Sequence, residues 1–168
     1  CNIGAAKASG DHLLFLNPDA VLRPGGAGRL ARTHATLSEP GIVGACITDA
    51  EGREQRGARR GALTLKTAVN GYLGGPGLDR DHEPMPSAAA PMETVSGAAM
   101  LMSRAGFDQL GGFDEGYFLH VEDIDICKRA RDARTQHPEP AGLVPQIDIF
   151  YGNEKSVSIL DAGHRLGD

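Results

Sequence analysis

No basic stripe runs through this 168-residue chain: the formal net charge is -5, and Arg53, Arg56, Arg59 and Arg60 form the only local positive cluster. That argues against a nucleic-acid partner. No apolar run reaches the length of a membrane span, and the opening Cys1-Asn2-Ile3-Gly4 lacks the pattern of a signal peptide. The three cysteines, Cys1, Cys46 and Cys127, are odd in number and widely spaced, with no Cys-x-x-Cys pair and no zinc-ligand spacing. Unpaired thiols in a reducing, cytoplasmic compartment are the expectation. What is present is ordinary for one globular domain, with 40% hydrophobic and 23% charged residues.

The most informative stretch is Leu13-Leu14-Phe15-Leu16-Asn17-Pro18-Asp19-Ala20. Four consecutive apolar residues read as a strand buried on both faces, as in a parallel sheet, and Pro18 cannot donate to a ladder, so the strand ends at Asn17. Asp19 then lies just past the strand's carboxyl end, the edge where open α/β sheets bind ligands. A carboxylate there is a hard oxygen ligand, suited to Mg²⁺ or Mn²⁺ shared with phosphate oxygens. The alternative is a plain turn, with Asp19 capping a helix that follows. The chain starts without Met, and a buried strand needs neighbours on both sides. We therefore expect a piece of a longer protein, with residues before Cys1 supplying neighbours on one side.

The remaining elements follow from local chemistry. Asn2 to Gly10 reads as the last turns of a helix closed by glycine, Ala27 to Leu37 as a helix ended by Ser38-Glu39-Pro40-Gly41, and Ile42 to Ile47 as a second buried strand. Arg53 to Arg60 reads as a surface hairpin or loop, with Arg59-Arg60 a solvated basic pair rather than a contact for a lipid diphosphate. Thr64 to Val69 reads as a short helix. Residues 71–91, rich in glycine, proline and alanine, read as a mobile loop, without the Gly-Lys-Ser/Thr of a phosphate cradle. Glu93 to Met102 is a strand interrupted at Gly97, where a bulge or a close approach is expected. Arg104 to Leu110 is a helix closed by Gly111-Gly112, and an aromatic loop follows over residues 113–118. A helix then carries Glu122, Asp123 and Asp125 in its first turn, Leu143 to Phe150 reads as a strand, and the tail from Asp161 as frayed.

On a wheel of ~100° per residue, Asp123 falls with Ile126, Cys127 and Ala130, while Glu122, Asp125, Arg129 and Asp132 share the opposite side. Asp125 and Arg129, four apart, suit a surface ion pair. Asp123 faces inward and must meet a partner, a metal or a substrate hydroxyl, because burying a lone carboxylate is costly. The two readings are a general base and a core carboxylate hydrogen-bonded to backbone. His120-x-Glu122 is not followed by the Pro-Cys-x-x-Cys of zinc deaminases. No second His and Asp cluster supports a two-metal phosphohydrolase.

Five blocks in order carry more than their separate chemistry: Asn2-x-Gly4, Ala8 through Ala20 with Asn17-Pro18-Asp19, Ser96-Gly97-Ala98-Ala99-Met100-Leu101, Phe107-x-x-Leu-Gly-Gly-Phe-Asp-Glu115-x-Tyr-Phe, and Glu122-Asp123-x-Asp125-x-Cys127-x-Arg129. Together they resemble family 2 glycosyltransferases, nearest the rhamnosyltransferase-like branch. The resemblance implies a single α/β catalytic domain over 1–168 with a GT-A fold, a mostly parallel central sheet flanked by helices, incomplete at the amino end. It implies inverting transfer of a sugar from a nucleotide diphosphate to a hydroxyl in polysaccharide or glycolipid synthesis. Asp19 would be the Mg²⁺ or Mn²⁺ carboxylate, Asn17 and Asn2 would join it on the donor, Ser96, Gly97 and Ala98 would line the sugar and acceptor pocket, and Glu122-Asp123 would be the catalytic pair with Asp123 as base. The expected partners are a nucleotide-diphospho-sugar and a glycan or lipid-linked acceptor, with peripheral attachment at the inner membrane face. A second reading keeps the fold without the reaction, as a catalytically silent sugar-nucleotide or glycan-binding remnant. The chain departs from the family at Phe150-Tyr151-Gly152-Asn153, where a His commonly precedes the Gly.

Overall fold

The structure is a computed structural model. It describes residues 1–134 except 50, 76, 81–82, 85–87 and 118–120, together with the backbone of strands at 142–144 and 148–151. The element order is α1 (Asn2–Lys7), β1 (His12–Leu16), β2 (Ala20–Leu22), α2 (Gly26–His34), β3 (Ile42–Gly44), β4 (Cys46–Thr48), β5 (Arg59–Arg60), α3 (Leu65–Tyr72), β6 (Ala90–Met92), β7 (Thr94–Val95), β8 (Ala99–Ser103), α4 (Arg104–Gln109), α5 (Glu122–Ala133), β9 (Gly142–Val144) and β10 (Asp148–Tyr151).

Five strands form the main sheet in the order β1-β8-β3-β9-β6. Strand β8 runs antiparallel to both β1 and β3, β9 runs parallel to β3, and β6 antiparallel to β9. The expected mostly parallel sheet is therefore corrected: within this sheet of described strands, one pairing in four is parallel. The apolar run at 13–16 signalled burial on two faces, and that signal is blind to strand direction. The two faces are visible in the core. Leu13, Ile42, Met100 and Met102 pack toward Phe107 of α4 and Ile126, Cys127 and Ala130 of α5. Val43, Ala99 and Leu101 pack the other way, toward Leu30 of α2, with Leu14 and Leu16 beside them. This is the period of two along a strand, with each side chain burying roughly 1.5–3 kcal/mol of transfer free energy. The other edge of β1 has no strand partner among the described residues.

Several local expectations change under tertiary contacts. Residues 42–48 are all buried but divide into β3 in the main sheet and β4 in a second sheet, β2-β10-β4. Strand β2, not a helix, follows Asp19, and the first turn of α2 is capped by Gly25 at φ 74°, so Asp19 caps nothing. The solvated basic loop is corrected as well. Arg59 is 2% exposed and makes a bidentate pair with Glu54 at 2.6 and 2.7 Å, and it donates to the carbonyls of Glu83 and Arg80. Within 71–91, Tyr72 closes α3, Gly61 N donates to the Leu78 carbonyl, Arg80 N donates to the Arg59 carbonyl, and Ala90 opens β6. Phe113 is half-buried in its loop against the core, with ring centroids 4.9 Å from Phe15 and 5.7 Å from Phe107. The segment expected as one strand from Leu143 to Phe150 contributes β9 and β10 to different sheets. The tail from Asp161, Leu119 and His120 lie outside the described residues.

Candidate active site

Strands β1 and β8 bring distant parts of the chain to one edge. They pair from His12 with Ser103 to Leu16 with Ala99, and one residue further Asn17 N donates to the Ala98 carbonyl at 3.0 Å. The Asn17-Pro18-Asp19 turn and the Ser96-Gly97-Ala98 segment are therefore neighbours. The turn is closed by Ala20 N donating to the Asn17 carbonyl at 3.0 Å. Asn17, Pro18 and Asp19 are all exposed, and the Asp19 carboxylate makes no hydrogen bond among the described residues. The pairing of Tyr151 with Ala20 sets the backbone at the end of β10 beside the same turn.

Asp123 reaches this edge from α5. Helix α5 buries Asp123, Ile126, Cys127 and Ala130, the face that the wheel assigned. Asp123 is 7% exposed, and its Oδ2 accepts from Gly97 N at 3.0 Å and from Arg60 Nη1 at 3.0 Å. Its Oδ1 accepts from Ile124 N at 2.8 Å. Three donors offset what burial would cost an unpaired carboxylate. A Cβ on Gly97 would stand 3.3 Å from the Asp123 Cβ, so the glycine is what lets the helix end come this close. Residue 121, just ahead of the helix, is a valine at φ 75°, in the left-handed region that a β-branched residue rarely enters. Residues held in this region cluster at ligand-binding and catalytic sites.

The other expected site residues divide. Ser96 is buried, its Oγ accepting from Ala98 N at 3.3 Å and so stiffening the corner between β7 and β8. Glu122 is half-buried, and its Oε2 is buried without a hydrogen-bond partner among the described residues. Asn2 clasps the loop after α4: its Nδ2 donates to the Phe113 carbonyl at 2.9 Å and to Glu115, and its Oδ1 accepts from Phe113 N. Asp125 pairs with Arg129 at 2.8 Å, as the four-residue spacing implied. Burial pushes the Cys127 thiol up to about 12, which makes it an inert core residue.

Sequence reasoning missed Arg60, which is 63 positions from Asp123. The pairing of β5 with β7, Arg60 opposite Thr94, sets it there, and no local pattern carries that information. Among the described residues no three of His, Cys, Asp and Glu gather into a metal cluster. A lone exposed carboxylate nevertheless suits a magnesium-like cation, which takes one or two protein carboxylates and completes its shell with phosphate and water. Asp19 fits that pattern.

The Asn17-Pro18-Asp19 turn and the buried Asp123 carboxylate thus both lie against the 96–98 segment. No family model matches the chain. Among solved structures, GalNAc-T7 with UDP, GalNAc and Mn²⁺ aligns with a TM-score of 0.51 at 14% identity, covering 89% of this chain and 29% of that one. The fold is GT-A, the architecture of nucleotide-sugar glycosyltransferases. In sequence, the chain is 29% identical over 161 residues to the N-acetylglucosaminyl-diphospho-decaprenol L-rhamnosyltransferase of Mycobacterium tuberculosis, covering 92% of this chain and 51% of the relative. It is 25% identical over 126 residues to the rhamnosyltransferase WbbL of Escherichia coli, covering 73% and 46%. It is also 29% identical over 135 residues to the O-antigen biosynthesis protein RfbC of Myxococcus xanthus, covering 76% and 10%. In sequence the chain is similar to rhamnosyltransferases, and it spans about half the length of the Mycobacterium and Escherichia proteins.

Proposed function

We propose that this chain carries the catalytic edge of an inverting glycosyltransferase that moves a sugar from a nucleotide diphosphate to an acceptor hydroxyl in glycan or cell-wall polysaccharide synthesis. The observation that carries the reading is the pair of contacts Asn17 N to Ala98 O and Gly97 N to Asp123 Oδ2, which set the turn bearing Asp19 and the Asp123 carboxylate against adjacent residues of one segment. Asp123 is the general base, taking the hydroxyl proton as the oxygen attacks the anomeric carbon from the face opposite the diphosphate; a placed base of this kind contributes about 10²–10⁴-fold. Glu122, at the helix start beside it, is the second acid of the pair. Ser96, Gly97 and Ala98 form the wall on which donor sugar and acceptor meet, and Asn17 and Asp19 face the donor, with Asn2 bracing the 113–115 loop. Held by Asp19 with the donor's phosphate oxygens, Mg²⁺ or Mn²⁺ would offset charge on the departing diphosphate. The named acceptor of the Mycobacterium relative is a sugar on a polyprenyl diphosphate, and a lipid-linked glycan is the acceptor class we carry over.

Peripheral attachment at the inner membrane face is part of the proposal. No helix of the described residues is long and apolar enough to cross a membrane. Helix α3 buries no residue, and Leu65, Val69, Tyr72 and Leu73, spaced four, three and one apart, stand exposed along it. An apolar stripe on a surface helix suits the lipid boundary. Co-sedimentation with anionic vesicles, retained in a Leu65→Ser, Tyr72→Ser double variant, would remove this part.

The test of the reaction is sugar transfer by the full-length protein across a panel of nucleotide sugars with and without Mn²⁺. Transfer lost in Asp123→Asn with nucleotide binding kept is the expected result. Nucleotide binding with no transfer from any donor would mark a silent remnant of the fold.

A further inference from the structure

Arg60 has no place in the reaction as stated, yet the fold fixes it on three sides. Its Nη1 lies 3.0 Å from Asp123 Oδ2, and its Nε lies 4.0 Å from Asp79 Oδ1. Its Nη2 lies 3.0 Å from where a Cβ on residue 57 would be, and that residue is a glycine at φ 82°. Asp79 is itself tied in, pairing as an isolated bridge with the Arg60 backbone and accepting from Arg56 Nε at 2.8 Å. The guanidinium borders an open hollow that also includes Ile124, the residue after the proposed base.

We infer that Arg60 is a positioning residue that turns the Asp123 carboxylate so that Oδ1, not Oδ2, receives the acceptor proton. This rests on the reading of Asp123 as base. An ionised carboxylate has about four lone-pair sites, two on each oxygen. Gly97 N and Arg60 Nη1 fill both on Oδ2, and Ile124 N fills one on Oδ1. One site remains, on Oδ1. In the transfer, the hydroxyl proton moves to that site, the oxygen's electron pair forms the bond to the anomeric carbon, and the bond from that carbon to the diphosphate oxygen breaks with its pair leaving on the diphosphate. Asp79 holds the guanidinium from behind and keeps the carboxylate from rotating.

The test compares R60Q, R60K and D79N with D123N in the full-length protein, measuring kcat, donor KM and nucleotide-induced thermal stabilisation. R60Q should lower kcat about 10- to 100-fold, the scale expected of a misplaced reacting group. Donor KM should stay within about twofold and the stabilisation by nucleotide should persist, because the donor side does not involve Arg60. R60K, keeping the charge but not the planar fork, should recover part of the loss, and D79N should cost only about two- to fivefold. If R60Q does not fold, the kcat loss at unchanged KM is read in R60K and D79N. Full kcat in R60Q, or in both R60K and D79N, alongside an inactive D123N overturns this inference alone. Full transfer by D123N overturns the base itself.

Discussion

The two acids at the sheet edge are held in opposite ways. Asp123 is 7% exposed and takes hydrogen bonds from Gly97 N, Arg60 and Ile124 N, whereas Asp19 stands exposed on a turn with none among the described residues. The difference matches what each acid would need in the role proposed for it. A base must meet one hydroxyl at hydrogen-bond distance and a defined angle, so the fold aims it before substrate arrives. A carboxylate that shares a cation with phosphate can remain in water until the donor brings the other ligands. In the proposed reaction, preorganisation is thus concentrated on the acceptor side.

The sharpest way to break that comparison is Asp123→Asn, which should lower transfer about 10²–10⁴-fold while leaving nucleotide-dependent stabilisation intact; a rate near the parent's would show that the aimed acid is not the base. Next, Gly97→Ala places a methyl 3.3 Å from the Asp123 Cβ. The helix end must give by a fraction of an ångström, and we expect a loss of about tenfold in kcat with at most about 1–3 kcal/mol in stability. An alanine variant with full turnover would mean that the close approach is not needed. Asp19→Asn should leave the melting temperature of the free protein unchanged, because an exposed side chain without contacts contributes little. It should abolish the extra stabilisation that Mn²⁺ adds to a nucleoside diphosphate. Retained Mn²⁺ dependence would move the cation site elsewhere.

The smallest effect lies at the far end of β1 and β8, where His34 is buried with its Nε2 3.1 Å from the Gly41 carbonyl and 3.3 Å from Ser103 N. Burial lowers its pKa below the ordinary 6.5, against the opposing pull of Glu39 and the Gly41 carbonyl, with His12 adding to the lowering. A depressed histidine is neutral in the folded state and takes up a proton more readily when unfolded. Its contribution is whole above about pH 6.5 and is lost as pH falls toward the folded value. Thermal melts should therefore show a shallower fall between pH 7 and 5 in His34→Asn than in the parent. Equal slopes would assign the acid sensitivity to other groups.

Much of this was legible one segment at a time. The apolar face of α5 put Asp123 inward, Pro18 placed the end of β1 within one residue of its observed close at Leu16, and Gly97 broke a strand where another element comes close. Each depends on residues within a turn or two of one another. For Asn2, read for the donor, no local pattern showed that its amide groups are engaged by Phe113 and Glu115, more than a hundred positions away. Phe113 does lie in a loop, as read, but its ring packing was out of reach because its partners, Phe15 and Phe107, belong to other elements. Arg59 read as solvated because Glu54 and the carbonyls of Arg80 and Glu83 are invisible to a charge count.

Periodicity and turn chemistry by themselves determined an inward-facing acid on one helix and an acid placed just past the end of one buried strand. Tertiary structure decided that β8 runs against its neighbours, that Asn17 meets Ala98, and that Arg60 reaches Asp123. The reason is physical. A side chain's preference for one face is set by its near neighbours along the chain, whereas pairing and direction are set by which buried surfaces fit when all the elements close together.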